Sequence, residues 1–480
     1  MLQGACEGAG RPPATGEEDS LRREMDSLGA REIPDEAYWG AQTSRAIENY
    51  PVSGERAHPE LVVAYARIKK ACAETNLEMG RLDPDKVRAI AQACDEVVTG
   101  RHRDQFVVDV YQAGAGVSFH MNVNETIAGR AAEILGKPRG DRSAVHPNDH
   151  VNLGQSTNDT FPTALHLAAL AVGRSLSAEI ERLVLSFERK GEEFGPVVKS
   201  GRTHLMDAVP VTLGQEFRAY AAALANRRGV IDRALDGLRE LALGGTATGT
   251  GLNAPAGFRE KAIGRLSTLT GEALSPARDP REALQSRAAA GDYSAALRAF
   301  AVELGRISND VRLLASGPVT GLDEIRLPAV QPGSSIMPGK VNPAILECTN
   351  MLCFQLIGFD TANALAVGGG QLDLNVMMPL LAYNLTRGPQ LLINFLPVLR
   401  TRCVDGITAN VEKCRQYLED SPSVVTALTP RIGYSTAAEV FKEAVARGVR
   451  VKDVLLEKRI LTEEELARAM TPAALLGPLE

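Results

Sequence analysis

Apolar residues recur every three or four positions in long proline-free stretches, the spacing of one face of an α-helix. The first stretch, 163–195, and the second, 211–243, each hold one such stripe. The stripe residues are Leu176, Ile180, Leu183 and Phe187 in the first, and Leu213, Phe217, Tyr220 and Leu224 in the second. Both stretches therefore predict long amphipathic helices.

A third stripe alternates steps of three and four, as in a coiled-coil seam. It consists of Leu297, Phe300, Leu304, Ile307, Val311 and Leu314. The pattern predicts a helix that packs along its whole length. The sequence leaves two possible packing partners for this seam. The seam either packs within the chain or also meets other copies, because one chain covers such long helices poorly.

Residues 344–396 are largely apolar, interrupted by Gly368-Gly369-Gly370 and by Pro379. At 1.5 Å per residue, three or four helices of about 40 Å or more make an elongated bundle. Strand signals are sparse, and short β pieces are predicted only near Ile33 and Val52.

The pattern as a whole predicts an all-α chain. A flexible tail, rich in Gly, Pro, Ala and Glu, is predicted for residues 1–20. A mostly helical domain is predicted for 21–155, a long-helix bundle for 156–400, and a small domain of short helices for 401–480.

Composition narrows the possible partners and location. The 480 residues carry a net charge of −6 and are 44% hydrophobic, so no basic surface for nucleic acid is expected. No apolar run of about 20 residues predicts a membrane span, and the N-terminus does not resemble a signal peptide. Seven scattered cysteines without a CxxC pair predict reduced, buried thiols. We therefore expect a cytoplasmic protein.

Four polar, Gly-rich clusters lie at the ends of the helical blocks. They cover 111–125, 146–159, 200–210 and 333–347. Together they hold hydroxyls, amides, histidines and a lysine with few carboxylates, an inventory suited to holding an anion. Any one cluster alone is also explained by helix N-caps or by a plain loop.

Two other site types are excluded by their sequence requirements. The stretch LALGGTATGTGLN, 241–253, lacks the Gly-Lys-Ser/Thr ending and the βαβ setting of a phosphate-binding loop. The histidines His120, His146 and His150 fit no standard zinc spacing. The sequence therefore predicts neither a metal nor a cofactor.

The segment GSSIMPGKVNP, Gly333 to Pro343, resembles the signature of the aspartase/fumarase superfamily. The other three clusters also resemble that family, in the same order, and the similarity runs from about Ser27 to Thr471. The resemblance implies three mostly helical domains and a homotetramer with a twenty-helix core. It also implies composite active sites, each built from three subunits. The reaction it implies removes a proton next to a carboxylate of a small dicarboxylate and expels a group from the neighbouring carbon.

The resemblance also implies residue roles. Ser334 is expected to be the general base, and His204 to work with Glu347 as its acid partner. Lys340 and Asn342 are expected to hold the substrate's other carboxylate, and Lys340 also to lower the pKa of Ser334. Further contacts with the substrate are expected from Ser156, Thr157, Asn158, Thr203 and Ser335. A second anion site, of the kind seen in fumarases, is expected at His146, Asn148 and Asp149.

One position departs from the family pattern. The chain reads Gly116-Val117-Ser118 where aspartases and fumarases usually carry a substrate-binding Thr at the middle position. Valine keeps threonine's shape without its hydroxyl, so Ser118 is the candidate to replace that donor.

The leaving group is predicted from further resemblances. Ser156-Thr157-Asn158 and Ala115 are closer to aspartases than to fumarases, which favours aspartate ammonia-lyase. A fumarate hydratase and a catalytically silent, structural member of the fold remain the alternatives.

Overall fold

The computed structural model describes residues 20–476. These residues are mostly helical. The helices are α1 (Ala41–Asn49), α2 (Pro59–Glu78), α3 (Pro84–Val98), α4 (Val117–Ile134), α5 (Thr157–Glu193), α6 (Leu213–Gly237), α7 (Phe258–Thr270), α8 (Pro280–Gln285), α9 (Ala288–Leu314), α10 (Ala344–Gly368), α11 (Met378–Arg402), α12 (Val411–Asp420), α13 (Thr429–Ile432), α14 (Tyr434–Arg447), α15 (Val451–Glu457), α16 (Glu463–Ala469) and α17 (Pro472–Leu475). The strands are β1 (Leu21–Asp26), β2 (Gly29–Pro34), β3 (Val198–Thr203), β4 (Met206–Thr212), β5 (Glu240–Leu241), β6 (Ser275–Pro276), β7 (Ile325–Arg326) and β8 (Thr408–Ala409).

The chain divides into two compact units. Among the described residues, the first contains 20–164 and 242–281, and the second contains 165–241 and 282–476. The three-domain division expected from sequence stays a prediction. The tail predicted for 1–20 lies outside the described residues, apart from Ser20.

In the first unit, α2 lies at the centre. It packs against α3 and α7, while α4 packs against α1 and α3. Side chains of α2 at the spacing of a buried helical face, such as Tyr65, Ile68 and Cys72, are fully enclosed.

In the second unit, the long helices form a bundle as predicted. The seam of α9 packs inside the chain, since all six of its apolar residues are at most 7% exposed. Its neighbours are α6 and α10, and α10 also packs against α11. Phe187 of α5 contacts the ring of Phe217 in α6, so both earlier stripes point into the same core.

Helix α10 differs from the other long helices because much of its apolar surface is uncovered. Met351, Phe354 and Leu365 are 63%, 64% and 75% exposed. By length and composition it is the one helix of the described chain that is long and apolar enough to span a membrane, and only 22% of its most apolar window is buried. Since such exposed faces mark contact surfaces, α10 rather than the α9 seam is the unpaired face of the bundle.

The strands form short antiparallel pairs, three of which are β1–β2, β3–β4 and β7–β8. Ile33 lies in β2, as predicted. Val52 itself lies in a bend after α1, and the β structure near it is an isolated antiparallel bridge between Arg56 and Asp109. The β3–β4 hairpin was not predicted. Its strands alternate poorly, and the register shifts between Ser200 and Arg202. Gly201 lies at this shift, where a Cβ would be only 2.6 Å from the Val209 carbonyl oxygen.

The C-terminal residues form short helices, α12 to α17, as predicted. Val440 and Ala444 of α14 pack with Val454 and Leu455 of α15 in a small core of their own. The six cysteines of the described residues are free thiols, five of them buried, in agreement with the predicted reduced state.

Candidate active site

The loop 333–343 is closed at its base by backbone contacts. The Gly333 N–H donates to the Lys340 carbonyl at 2.7 Å, and the Asn342 side-chain amide donates to the Gly333 carbonyl at 2.6 Å. A Cβ at Gly333 would lie 2.7 Å from the Lys340 oxygen and from the Asn342 nitrogen. Only glycine therefore fits this position.

Ser334 lies just inside this closed base. Its Oγ accepts hydrogen bonds from the backbone N–H groups of Ile336 at 3.2 Å and Met337 at 2.9 Å. Because both groups are donors, they favour negative charge on the oxygen. Ser335 and Lys340 are exposed on the same loop.

The loop leads directly into α10, whose first turn carries Glu347. This carboxylate is 41% exposed and lies 3.9 Å from the guanidinium of Arg312. The described residues contain no hydrogen bond or ion pair between Glu347 and the His204 ring. The pairing of these two groups stays a prediction.

Thr203 and His204 lie at the exposed end of the β3–β4 hairpin. Thr203 pairs with Met206, so His204 and Leu205 form a two-residue turn with φ of 56° and 61°. Hairpin turns with positive φ at both positions normally use Asn-Gly. Non-glycine residues here cost roughly 1–3 kcal/mol each, and such strain is typical of functional sites.

An ion-pair network around the buried Glu324 carboxylate anchors strand β3 of the hairpin. The Glu324 carboxylate is fully buried and lies 2.7 Å from the Lys199 ammonium and 2.8 Å from the Arg202 guanidinium. Lys199, 1% exposed, also contacts Glu216 at 2.9 Å. Since Arg202 precedes Thr203 in β3, this network anchors the strand that presents the turn.

In the first unit, Ser156, Thr157 and Asn158 begin α5. Ser156 makes two bonds at the helix start: its N–H donates to the Asp159 carboxylate at 2.9 Å, and its Oγ accepts from the Asn158 N–H at 3.2 Å. The Asn158 side chain donates to the Ala247 carbonyl at 2.8 Å. The three side chains are thus half-buried and held in place before any ligand is present.

The glycine-rich stretch 241–253, which lacks the phosphate-binding motif, instead binds the carboxylate of Asp159 from the same chain. The N–H groups of Gly244 and Thr246 donate to the Asp159 carboxylate at 3.0 and 2.9 Å. Burial nevertheless raises the pKa of Asp159 to about 6.

Beneath Thr157 lies a chain of buried polar groups. The Thr157 hydroxyl is 2.6 Å from His120 Nδ1, and His120 Nε2 is 2.7 Å from the Lys69 ammonium. Lys69 also donates to Asn152 at 2.9 Å and to Gln155 at 2.8 Å. Lys69 is fully buried and His120 is 1% exposed. We call Thr157, His120, Lys69, Asn152 and Gln155 the Thr157 cluster.

His146 lies at the start of a short helical turn, 147–151, where the second anion site is expected. His146 Nδ1 accepts the backbone N–H groups of Asn148 and Asp149 at 3.2 and 3.1 Å. The backbone N–H of His146 donates to His150 Nδ1 at 2.8 Å. These backbone donors of the helical turn, 147–151, are thus used within the turn, and the second anion site stays a prediction.

Val117 is the first residue of α4 and is 42% exposed, so a threonine hydroxyl at this position would lie at the surface. Ser118 follows it and is half-buried. The tight turn before the helix depends on Gly116, because a Cβ there would lie 2.0 Å from the Phe161 ring.

Sequence reasoning missed Lys69 as a site residue and considered His120 only as a zinc candidate. A signal for Lys69 exists in the pattern. Lys69 lies four residues after Tyr65 and three before Cys72, on the buried stripe of α2. A lysine at a core position is rare unless it is paired.

Comparisons with known proteins find relatives over almost the whole chain. A lyase family model matches residues 29–358, and a fumarase C C-terminal model matches 424–477. The aspartate ammonia-lyase of Pseudomonas aeruginosa is 46% identical over 96% of this chain and 98% of its own length. Class II fumarate hydratase of Thermosynechococcus vestitus is 45% identical over 95% and 98%.

A solved structure matches equally well. The fumarate lyase:delta crystallin from Brucella melitensis, bound to cobalt, is 48% identical with a TM-score of 0.92, covering 95% of this chain and 99% of that one. Further aspartate ammonia-lyases match at 43–45% identity. The chain is therefore a lyase and belongs to the aspartase/fumarase superfamily.

Proposed function

We propose that this protein is an aspartate ammonia-lyase, which converts L-aspartate reversibly to fumarate and ammonia. The observation that carries the proposal is the environment of Ser334. A serine is a poor base unless its surroundings stabilise the alkoxide. Two backbone N–H groups converge on its Oγ inside a loop that only Gly333 can close.

In the proposed reaction, the Ser334 alkoxide takes the proton from the carbon next to the substrate's β-carboxylate. The electron pair left behind moves into that carboxylate, which becomes an aci-carboxylate. When the pair returns, the carbon–carbon double bond forms and the carbon–nitrogen bond breaks. The amine leaves as ammonia, and the Ser334 hydroxyl loses its proton to solvent before the next turnover.

The other residues hold charge in this scheme. Lys340 and Asn342 bind the carboxylate remote from the reacting carbon, where a positive charge and an amide donor suit it. Ser156, Thr157 and Asn158 hold the reacting carboxylate and the amine, with Thr203 and Ser335 as further donors. His204, oriented by Glu347, completes the site. Ser118 is the candidate to replace, at least in part, the donor that Val117 lacks.

Ammonia is favoured as the leaving group by the relatives' names and by Ser156-Thr157-Asn158. Water is the second candidate, because a class II fumarase matches almost equally well at 45% identity. The two substrates are both small dicarboxylates that differ in one substituent.

The test incubates the purified protein with L-aspartate and, separately, with L-malate. Fumarate is followed by ultraviolet absorbance and ammonia by a coupled assay. Fumarate and ammonia in equal amounts from aspartate alone is the expected result. Fumarate from malate alone would identify a hydratase instead. Turnover of neither substrate would point to a silent member of the fold.

We further propose that the protein works as a homotetramer with each active site built from three subunits. The uncovered apolar face of α10 supports this, as do the exposed positions of Lys340 and His204. Phe354→Asp and Leu365→Asp should each shift the protein to smaller species in analytical ultracentrifugation and lower activity in parallel. Leu28→Asp, at a 78% exposed position in the β1–β2 turn, is the matched control and should change neither. A fully active Leu365→Asp monomer would contradict the proposal.

We also propose a cytoplasmic location. Five buried free thiols suit a reducing compartment. Localisation of the tagged protein in cell fractions tests this.

A further inference from the structure

In the Thr157 cluster, the fully buried Lys69 is linked through His120 to the Thr157 hydroxyl, a predicted hydrogen-bond donor to the substrate. We propose that Lys69, acting through His120, orients the Thr157 hydroxyl so that its proton points outward to the substrate. Lys69 and His120 are then positioning residues that never touch the substrate. The inference rests on the proposed role of Thr157 in holding a dicarboxylate.

The first step concerns the charge on Lys69. An ammonium group has three N–H donors and no acceptor. Lys69 has three partners at 2.7–2.9 Å: His120 Nε2, the Asn152 side-chain oxygen and the Gln155 side-chain oxygen. The two oxygens are acceptors, so this geometry fits a protonated lysine that donates three bonds.

The second step concerns the His120 ring. A neutral imidazole carries a proton on one nitrogen and accepts at the other. Lys69 donates to Nε2, and the Asn124 side-chain amide also points to Nε2 at 3.2 Å. With two donors directed at Nε2, the ring proton lies on Nδ1. Stacking on Tyr65, at 5.5 Å between ring centres, fixes the plane of the ring.

The third step concerns Thr157. A hydroxyl has one donor and two acceptor positions. If His120 Nδ1–H donates to the Thr157 oxygen at 2.6 Å, the hydroxyl proton is free to point away from the ring. The half-buried Thr157 side chain then offers a committed donor at the start of α5. The reverse tautomer would turn the hydroxyl proton inward and remove that donor.

The surroundings agree with this assignment. Burial and the neighbouring Lys69 charge hold the pKa of His120 well below its ordinary value, so the ring stays neutral. Burial lowers the pKa of Lys69 to about 7, with Asp159 on α5 opposing that shift. The other titratable neighbours are the Cys72 and Cys94 thiols, whose pKa values burial raises, so both remain neutral.

The test measures binding of succinate, a dicarboxylate with no leaving group, by calorimetry at pH 6.5, which lies below the pKa of about 7 that burial gives Lys69. Lys69→Met and Thr157→Val are each expected to weaken binding about tenfold. The double variant should be no weaker than Thr157→Val alone, because Lys69 acts only through that hydroxyl. Lys70→Met is the matched control. This neighbouring lysine pairs with Asp95 at the surface, and its loss should leave binding unchanged.

A conservative variant separates orientation from simple support. His120→Gln places an amide oxygen toward Lys69 and an amide N–H toward Thr157, so it should bind succinate within about twofold of the wild type. If Lys69→Met binds succinate like the wild type, or if the double variant multiplies the two losses, the proposal is overturned.

A second measurement needs no folded Lys69 variant. The ¹⁵N NMR spectrum of histidine-labelled wild-type protein reports which ring nitrogen of His120 is protonated, with the signal assigned by its absence in His120→Gln. A proton on Nδ1 is expected, and a proton on Nε2 would overturn the proposal. Neither succinate binding nor this spectrum depends on the leaving group. The positioning role of Lys69 and His120 can therefore be tested even if the aspartate assay fails.

Discussion

The Thr157 cluster and the Ser334 loop are both polar, yet they relate to solvent in opposite ways. Lys69 and His120 are enclosed and saturated with partners from their own unit. Lys340 is exposed, and within residues 20–476 the partners of the Ser334 oxygen are two backbone N–H groups of its own loop. The chain by itself thus encloses the groups that support Thr157 but leaves the loop of its predicted base open to solvent.

This difference matters for the chemistry. Charged groups act strongly on one another only where water is excluded. An enclosed cluster is preorganised at all times, whereas an exposed loop becomes effective only when something covers it. In our proposal, other subunits and the substrate provide that cover.

The largest expected effect tests the exposed side of the comparison. Ser334→Ala should lower kcat by about 10²–10⁴-fold, the usual contribution of a general base, while succinate binding and oligomeric state stay unchanged. Steady-state kinetics and calorimetry measure the two quantities. Ser335→Ala, one residue along the same exposed loop, should raise KM with a much smaller loss of kcat. Equal losses of kcat in both variants would remove Ser334 from its special role.

The next prediction concerns the buried support of the exposed turn. Glu324→Gln should lower the free energy of unfolding by about 3–5 kcal/mol, because it leaves the buried Lys199 and Arg202 charges without their shared carboxylate. Chemical denaturation measures this loss. Glu216→Gln removes a carboxylate that is 24% exposed from the same network and should cost less. A Glu324→Gln protein as stable as the wild type would show that the hairpin does not depend on this anchor.

A third prediction concerns how the stability provided by a buried carboxylate of the first unit depends on pH. Glu96 in α3 accepts two bonds from Arg130, at 2.7 and 3.0 Å, and contacts His102 at 2.9 Å. These partners lower its pKa from 4.5 to about 2. Since the folded-state pKa is depressed, the pair stabilises the fold above about pH 4.5 and loses this effect as the pH falls toward 2.

Glu96→Gln should therefore be less stable than the wild type at pH 6 by about 3 kcal/mol, and the gap should narrow as the pH falls. Denaturation at a series of pH values measures the gap. Glu74→Gln is the control, since its carboxylate lies 3.4 Å from Arg265 and is more exposed. A gap that stays constant with pH would show that ionisation of Glu96 does not stabilise the fold.

The smallest expected effect is at the start of α4, a helix that carries both a solvent-exposed and an enclosed site position. Val117 is exposed at the start of α4, while His120 is buried one turn later. Val117→Thr should lower KM for aspartate a few-fold by restoring a donor, a gain of about 1 kcal/mol. Val117→Ala, which adds no hydroxyl, is the control. An unchanged KM in the threonine variant would mean that Ser118 already supplies this donor.

How far the sequence predicted the fold depends on the kind of signal. Periodic stripes such as Leu297 to Leu314 predicted the long helices well, because one buried face imposes one spacing. The β3–β4 hairpin escaped prediction, since its two-residue turn is His204-Leu205 rather than a turn-forming pair. No local pattern showed that α10 would be the uncovered helix.

The candidate site shows the same division. Resemblance supplied the motif residues, including Ser334 and Thr157, because these are continuous in sequence. The Thr157 cluster joins α2, α4 and the residues before α5, so its distances depend on tertiary packing. Lys69 is separated from His120 by 51 residues, and no reading of either segment alone brings them together.

The turn at His204 and Leu205 has a consequence for selection. Two side chains occupy left-handed positions where glycine or asparagine would relax the backbone. Variants chosen for heat resistance alone should accumulate those smaller residues here, and those that replace His204 would lose the side chain that we propose takes part in catalysis. In our proposal, stability and activity therefore compete directly at this hairpin. Selection for activity would then be what keeps a histidine at this turn.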